Sequence, residues 1–482
     1  MSWGLVAGTV VIAAGMAAAA PRATCKPRRD EEQDEIGHTS EVIVIGGGIV
    51  GAAVACFLTK TGVRDVMLLE KGSIGCEASG LSAGTLWNAG LPTTVGAEDV
   101  ALYLRARSVS LLKDLGGCEF NQSGALDVAA TPEEARLLRA DFEQQVRQGL
   151  TVEWLGTPEE VVACEPALAG GSALCATHTP MSGSVQPALA TQRFAAVAAA
   201  NTCEIVEGAE VVSLGQYVND QGIHMVRATT SDGRIYSARH AVIAGGHTSA
   251  SLAYSLGVSL PVAAVKGVVC VSTAHAEAGA LKKVIFDMAS RLYFGEHGSG
   301  RDDASGTPAK CTHEASGARR CRKLYGKQCG PSDGHMLLFG GDRLPGVAAG
   351  DYAPPVSSIA SIRGHVRELC PSLKGYGGED GRAGQEDAHA GEWAGLMPFS
   401  RDGRPIVGSL ASLGLPNCWL ACGFGPVGIM EGPHAAKLLA GRVAAQVGGC
   451  GGEMKNETNE TKEDKVAMES LKPSRCCERL IG

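Results

Sequence analysis

Residues 41–71 read EVIVIGGGIVGAAVACFLTKTGVRDVMLLEK, and their reading decides the fold. Glu41–Ile45 is short, β-branched and apolar, the pattern of a parallel strand buried on both faces. It runs into Gly46, Gly48 and Gly51, spaced as G-x-G-x-x-G. Ala52–Lys60 has helix composition, and Gly62 suits the left-handed position that ends a helix. A second apolar strand, Val66–Leu69, ends at Glu70. Gly46 permits the tight turn, Gly48 lets a pyrophosphate approach the backbone, and Gly51 lets helix and strand pack closely. The helix N-terminus offers N–H groups and partial positive charge to that pyrophosphate. The Glu70 carboxylate can accept from ribose hydroxyls and would repel a 2′-phosphate. The stretch therefore predicts a site for an ADP-containing dinucleotide.

Further along, Gly75–Leu91 (GCEASGLSAGTLWNAGL) is rich in Gly and Ser and reads as a loop laid against that ligand. His240–Gly246 (HAVIAGG) is another apolar strand ending in small residues. Near the other end, Cys418–Cys422 meets a turn with Gly423, Gly425 and Gly428, then a long helix. That is a second strand–glycine–helix junction. Between these lie predicted helices at 101–115, 132–148, 187–200 and 356–369, and strands at 126–130, 152–155, 204–214 and 261–273. Residues 296–334 are polar, Gly-rich and locally basic, and read as a disordered insertion loop between strands at 291–295 and 335–340. Cys311, Cys321, Cys329 and His313 in it lack any metal-ligand spacing, so no metal is expected.

Composition bounds the rest. The 482 residues suggest two to four structural units, and 45% hydrophobic with 20% charged residues describes a chain able to bury a large core. A net charge of −8 argues against a nucleic-acid partner. Seventeen scattered cysteines, odd in number, do not make a disulfide scaffold. Residues 1–20 carry no charge and precede Arg22, Lys26, Arg28 and Arg29. They read either as a membrane anchor or targeting segment, placing the protein at a membrane or in an organelle, or as a disordered leader of a cytoplasmic protein. Residues 21–40 read as a linker, and 448–482 as a charged, disordered tail. Cys476–Cys477, beside Arg475, is either an acylation site or part of that tail.

Taken together, VIGGGIVGAAVA with Glu70, SGLSAG, GSVQPALATQRFAAVA, HAVIAGGHTS, DGRPIVG and GFGPVGI resemble the D-amino-acid-oxidase superfamily of FAD-dependent amine oxidoreductases. This superfamily includes glycine and sarcosine oxidases and the sarcosine and dimethylglycine dehydrogenases. Thr85–Leu91 and Ser123–Glu134 are most similar to the dehydrogenase branch. The resemblance covers residues 41–447 and implies an α/β fold (α+β overall). A Rossmann-like FAD domain, from 41–100, 185–262 and 391–447, would interleave with a β-rich substrate domain from 101–184 and 263–390. It implies the pyrophosphate at Gly46, Gly48, Ile49, Val50 and Gly51, and the ribose at Glu70 and Lys71. Flavin-side contacts would come from Ser79, Gly80, Ser82, Ala83 and Gly84. Val211 would lie by the adenine, with Ala244, Gly245 and Gly246 as a second closing contact. Gly423, Phe424, Gly425, Gly428 and Ile429 would lie by the pyrimidine end of the flavin.

Three departures from the family pattern shape the functional expectation. The histidine that attaches FAD covalently in the dehydrogenase branch is read as replaced by Asn88, so noncovalent FAD is expected. The arginine that binds a substrate carboxylate in glycine-oxidase-like members is replaced by Met397. The chain ends soon after the flavin segments, so transfer of a carbon unit to folate is not expected. The resemblance implies oxidation of a C–N bond in a secondary or N-methylated amine or an amino acid, with hydride passing to flavin N5. Oxygen or an electron carrier would be the acceptor. Lys266 is the candidate cation near the flavin, and Arg291 and Tyr293 are candidates to hold a substrate carboxylate. Two alternatives remain: a membrane-associated dehydrogenase passing electrons to quinone, and a low-turnover flavin-bound assembly factor.

Overall fold

The strand His38–Ile45 lies inside an eight-stranded sheet with order Ile406–Leu410, Leu415–Cys422, Ile235–Ile243, His38–Ile45, Val66–Leu69, Glu204–Val206. From Leu415–Cys422 to Glu204–Val206 the neighbours run parallel. Val211–Val218 and His224–Thr230 form an antiparallel extension from Ile235–Ile243. The computed structural model describes residues 38–87, 90–92, 95–96, 98–271, 281–287, 325–328, 337–346, 350–373, 392–448 and 460–480.

Burial on both faces explains why this strand is an unbroken apolar run. Val42 and Val44 face a helical layer, while Ile43 and Ile45 face a second core around Leu252, Leu256 and Leu420. The helical layer contains Ile49–Lys60, Val100–Leu115, Pro187–Ala200 and Gly428–Gly448. Small residues set its spacing. A Cβ on Gly432 would lie 2.9 Å from Val50 Cγ2, so the two helices that start at the glycine-rich turns are in close contact. Fully buried side chains such as Leu58 and Leu104 contribute about 1.5–3 kcal/mol each to that layer.

A second eight-stranded sheet has order Glu392–Ser400, Val262–Val271, Leu337–Pro345, Tyr325–Gln328, Val284–Asp287, Ala125–Ala129, Cys175–Thr179, Glu153–Leu155. The Val356–Leu369 helix covers one face, with Ile359, Ile362 and Val366 packed on Val268, Cys270 and Phe339. On the opposite face Val269, Leu338 and Trp393 meet Ala83 of the Gly- and Ser-rich loop. The Trp393 indole N–H donates to the Leu81 carbonyl at 2.8 Å, which joins the two sheets directly.

Several sequence expectations need correction. Tyr325–Gln328, within the stretch read as a disordered insertion, forms a strand between Val284–Asp287 and Leu337–Pro345. Residues 204–214 are not one strand, because Glu204–Val206 and Val211–Val218 occupy different places in the first sheet. The boundary expected at residue 100 is displaced, since Val100–Leu115 packs in the helical layer of the first sheet. Conversely, Glu392–Ser400, assigned to the flavin domain, pairs with Val262–Val271 in the second sheet.

The tail is also not wholly disordered. Lys462–Leu471 is a helix with a capping box, in which Thr461 Oγ1 accepts from the Asp464 N–H at 3.1 Å and the Asp464 carboxylate accepts from the Thr461 N–H at 3.0 Å. Asp464 additionally accepts from Tyr103 Oη at 2.8 Å and contacts His434 Nε2 at 3.0 Å. Those partners are far away in sequence, so charge and low complexity could not reveal the docking. Arg475 then makes two bonds to Asp402, at 2.7 and 3.1 Å, and fixes the D-G-R-P turn. Cys477 is buried in the first sheet's second core, with Cys476 packed against it.

Candidate active site

A long cavity runs from the turn after His38–Ile45 to the face of the second sheet. At its first end Gly46 has φ +106°, and a Cβ there would lie 2.5 Å from the Ala244 carbonyl oxygen. Gly51 lies under the turn, where a Cβ would meet the Gly46 carbonyl oxygen at 1.9 Å. The helix Ile49–Lys60 has Gly48 as its N-cap, a residue with no side chain of its own to cap the helix. Ser79 Oγ accepts from the Ile49 N–H at 2.9 Å, which ties the second loop to the helix start. Glu70 is buried and accepts from Gly47 N–H at 2.6 Å and Gly72 N–H at 2.8 Å. Its carboxylate thus holds the glycine turn as well as facing the cavity.

Lys71 and Glu77 form an ion pair of 2.5 Å on this rim. Burial would raise the Glu77 carboxyl, but the Lys71 and Tyr352 partners bring it below its ordinary value. Burial also lowers the imidazole of His247 beside them. The cavity is bordered further by Ser82, Ala83 and Gly84, and by Val211, Ala244, Gly245 and Gly246. Phe424, Gly425, Gly428 and Ile429 line it where the second glycine-rich turn opens a helix. Gly80 and Gly423 are behind this lining. Each is there for close packing, Gly80 against the Gly75 carbonyl and Gly423, at φ +74°, against Ser400.

Glu431, in the first turn of the Gly428–Gly448 helix, is 2% exposed and paired with Arg105 at 2.9 Å. Burial raises its carboxyl, and Arg105 opposes that shift. The pair keeps an acid from cancelling the positive end of the helix that faces the cavity. Arg105 also stacks over the Trp87 ring at 4.9 Å, and the indole N–H of Trp87 donates to Asp127 at 3.0 Å. Trp87 and Phe286, with ring centroids 5.7 Å apart, wall the cavity at this point.

The second-sheet end is lined by Gly267, Val269, Gly395, Met397, Asp342 and Arg343. A register shift between Gly267 and Val269 sets Val268 alone against Gly341 and Asp342, so the extra residue lies on the Leu337–Pro345 strand, and Gly341 and Asp342 line the cavity. Asp342 is tied outward, accepting from Ser358 Oγ, a hydroxyl of the covering helix.

The family profile described as FAD dependent oxidoreductase (DAO) matches residues 41–442. The chain belongs to this FAD-dependent oxidoreductase family. It is similar to glycine oxidase of Geobacillus kaustophilus, 27% identical over 410 residues, covering 84% of this chain and 92% of the relative. It is also similar to human mitochondrial dimethylglycine dehydrogenase, 28% identical over 298 residues, covering 58% of this chain but only 32% of that protein. The crystal structure of Geobacillus kaustophilus glycine oxidase superposes with a TM-score of 0.66 at 24% identity, covering 85% of this chain and 95% of that one.

For an FAD-dependent oxidoreductase the first end of the cavity fits its cofactor. Bare backbone at Gly46 and Gly48, a helix start whose N-cap is a glycine and a buried Glu70 suit a pyrophosphate and its ribose. The sequence-derived candidates Gly46, Gly48, Ile49, Val50, Glu70, Lys71 and Ser79 come together here.

Lys266 is not placed beside them. Its Nζ pairs with Asp351 at 2.7 Å and donates to the Ala353 carbonyl at 3.0 Å, while Gly267 lines the cavity in its stead. Strand alternation is the reason: residues 266 and 267 point to opposite faces. Arg291, Tyr293 and Asn88 lie outside the described residues, as do residues 1–20 and the cysteines at 311, 321 and 329. Among the described residues no helix is long and apolar enough to cross a membrane. Sequence reasoning missed Arg343, Trp87 and Asp127. The one signal for Arg343 was a charged pair, Asp342–Arg343, closing an apolar strand.

Proposed function

We propose that this chain oxidises the C–N bond of a secondary or N-methylated amine, or of an amino acid, using noncovalently held FAD. The observation that carries the reading is the composition of the cavity. Backbone donors and Glu70 form one end, and a glycine-rich sheet face carrying Val269 and Met397, with Asp342 and Arg343 at its border, forms the other. Such a face suits a small, uncharged reacting carbon. When bound, the flavin supplies the acceptor for the hydride equivalent leaving that carbon.

The chain's own residues have limited acid–base work, because a neutral amine needs no side-chain base to lose hydride. Their work is to orient the amine, exclude water and accommodate the negative charge gained by the cofactor. The Gly428–Gly448 helix start, with Glu431 neutralised by Arg105, is the element for the last task. Trp87, held by Asp127, and Phe286 form an apolar wall that keeps water out. The resulting imine hydrolyses in water, and the electrons pass on to oxygen or to a carrier.

Glycine oxidase and 4-methylaminobutanoate oxidase among the relatives support the substrate class. The absence of histidine from Thr85–Leu91, the segment that resembles the family's covalent-attachment motif and includes Asn88, supports noncovalent FAD. Acid precipitation of the purified yellow protein should leave flavin in the supernatant, and steady-state assays with an amine panel should give turnover. Flavin that remains in the pellet would contradict noncovalent attachment. A flavin-loaded protein inert to every secondary amine and amino acid tried would contradict the activity.

A further inference from the structure

We propose that Lys266 is a positioning residue for the bound cofactor, acting through segment 351–353: the lysine fastens this segment, and Tyr352 within it holds Glu77 on the cavity rim. The inference goes beyond the reaction proposed above and needs FAD only as a bound ligand.

Lys266 is 2% exposed and projects, like Val268 and Cys270, to the face of the second sheet that the Val356–Leu369 helix covers. An ammonium buried there is unfavourable unless it is paired. Asp351 supplies the opposite charge at 2.7 Å, and the Ala353 carbonyl accepts at 3.0 Å. Both partners belong to one short segment, and Asp351 is itself exposed. The lysine is therefore the fixed post, and the segment is what it holds. Pro354 and Pro355 follow at once, and Pro355 is the N-cap residue of the covering helix. Their fixed φ leaves the segment little backbone freedom beyond its anchor.

Between the two residues bound to Lys266, Tyr352 reaches to the Gly- and Ser-rich loop. Its Oη donates to Glu77 Oε2 at 2.5 Å, while Glu77 Oε1 pairs with Lys71 at 2.5 Å. Burial and the Glu77 carboxylate push the Tyr352 phenol up, which keeps it a donor. Glu77 and Lys71 line the cavity with Glu70, and Glu77 lies two residues from Ser79, whose Oγ accepts from the Ile49 N–H. A path of polar contacts thus runs from a lysine behind the second sheet to the loop at the dinucleotide end. Displacing the segment would take the counter-charge from a buried ammonium and a donor from Glu77 in one movement. The two attachments therefore hold or fail together.

The test follows flavin release from full-length holoprotein, read as the rise in flavin fluorescence on dilution. Tyr352→Phe should release FAD about tenfold faster, and Lys266→Met by about the same factor. In the double variant, release should be no faster than in the quicker single variant, because both substitutions free the same segment. A lysine that merely supports the sheet would instead multiply the two effects. Asp351→Ala, at an exposed position, should speed release by about threefold to tenfold, and it replaces Lys266→Met in the comparison if that variant does not fold.

Release left unchanged by any of these single substitutions, or a double variant whose effects multiply to about a hundredfold, would overturn the proposal. The two readings fail separately, since release is measured without substrate. Independent effects at Lys266 and Tyr352 would leave amine oxidation untouched. A holoprotein bleached by no amine would leave the lysine's role standing.

Discussion

The two ends of the cavity are built on different principles. At the dinucleotide end, recognition depends on backbone, with glycines that cannot carry a Cβ and one buried carboxylate that holds their turn. At the second-sheet end the cavity is lined by side chains, among them Met397, Trp87, Phe286 and Arg343, brought together from strands and loops distant in sequence. The first kind of site leaves a contiguous signature because its requirements are local. The second leaves almost none, since neighbours such as Gly267 and Arg343 meet only through sheet pairing.

The comparison is broken most severely at Gly51. Gly51→Ala would drive a methyl into the Gly46 carbonyl at 1.9 Å, inside a turn that cannot yield. A loss of about 4 kcal/mol or more in denaturant unfolding is expected, together with loss of flavin. Full stability and stoichiometric flavin in that variant would show that the turn is not built as described.

Arg105→Met tests the side-chain end. It leaves Glu431 buried without its cation and should cost about 3 kcal/mol, partly relieved if the carboxyl takes up a proton. Replacing both residues, as Arg105→Met with Glu431→Gln, should regain much of the loss, which a simple packing defect would not.

The pH response should separate the scaffold from either end. His240, buried in Ile235–Ile243, has its imidazole lowered to about 4 by burial, with Arg239 adding to the effect. Burial likewise lowers His434, although Asp464 opposes it. A histidine held neutral in the fold but protonated when unfolded removes stability as pH falls below its unfolded value of about 6.5. Melting temperature should therefore drop between pH 6.5 and 4, with His240 accounting for about 3 kcal/mol at the acid limit. His240→Phe should flatten that slope; an unchanged slope would place the titration elsewhere.

The smallest expected effect is at the seam between the two ends. Trp393→Phe removes the bond to the Leu81 carbonyl and part of the ring packed on Val269 and Leu338, and should cost about 1–2 kcal/mol. Its clearer readout is faster flavin release, because Leu81 belongs to the loop whose Ser79 secures the Ile49 N–H.

Legibility in the sequence followed the same division. The strand, glycine turn and helix at 41–60 could be read because period, turn and terminal acid lie within one contiguous stretch. Lys266 was misplaced by one residue of strand alternation, which reverses the face on which a side chain projects. The Lys462–Leu471 helix was hidden in a charged tail, since its stabilising partners Tyr103 and His434 are remote. Arg343 was obscured twice: by its place at the end of a strand, and by a bulge that only pairing with Val262–Val271 defines.

The central claim is that both ends serve one reaction, oxidation of an amine beside the flavin. Its most direct test is anaerobic mixing of the yellow holoprotein with N-methylated amino acids of increasing chain length. The account predicts that at least one bleaches the flavin in a single turnover and yields one equivalent of the imine's hydrolysis products. A flavin that stays oxidised with every such compound, while chemical reductant bleaches it readily, would contradict the account.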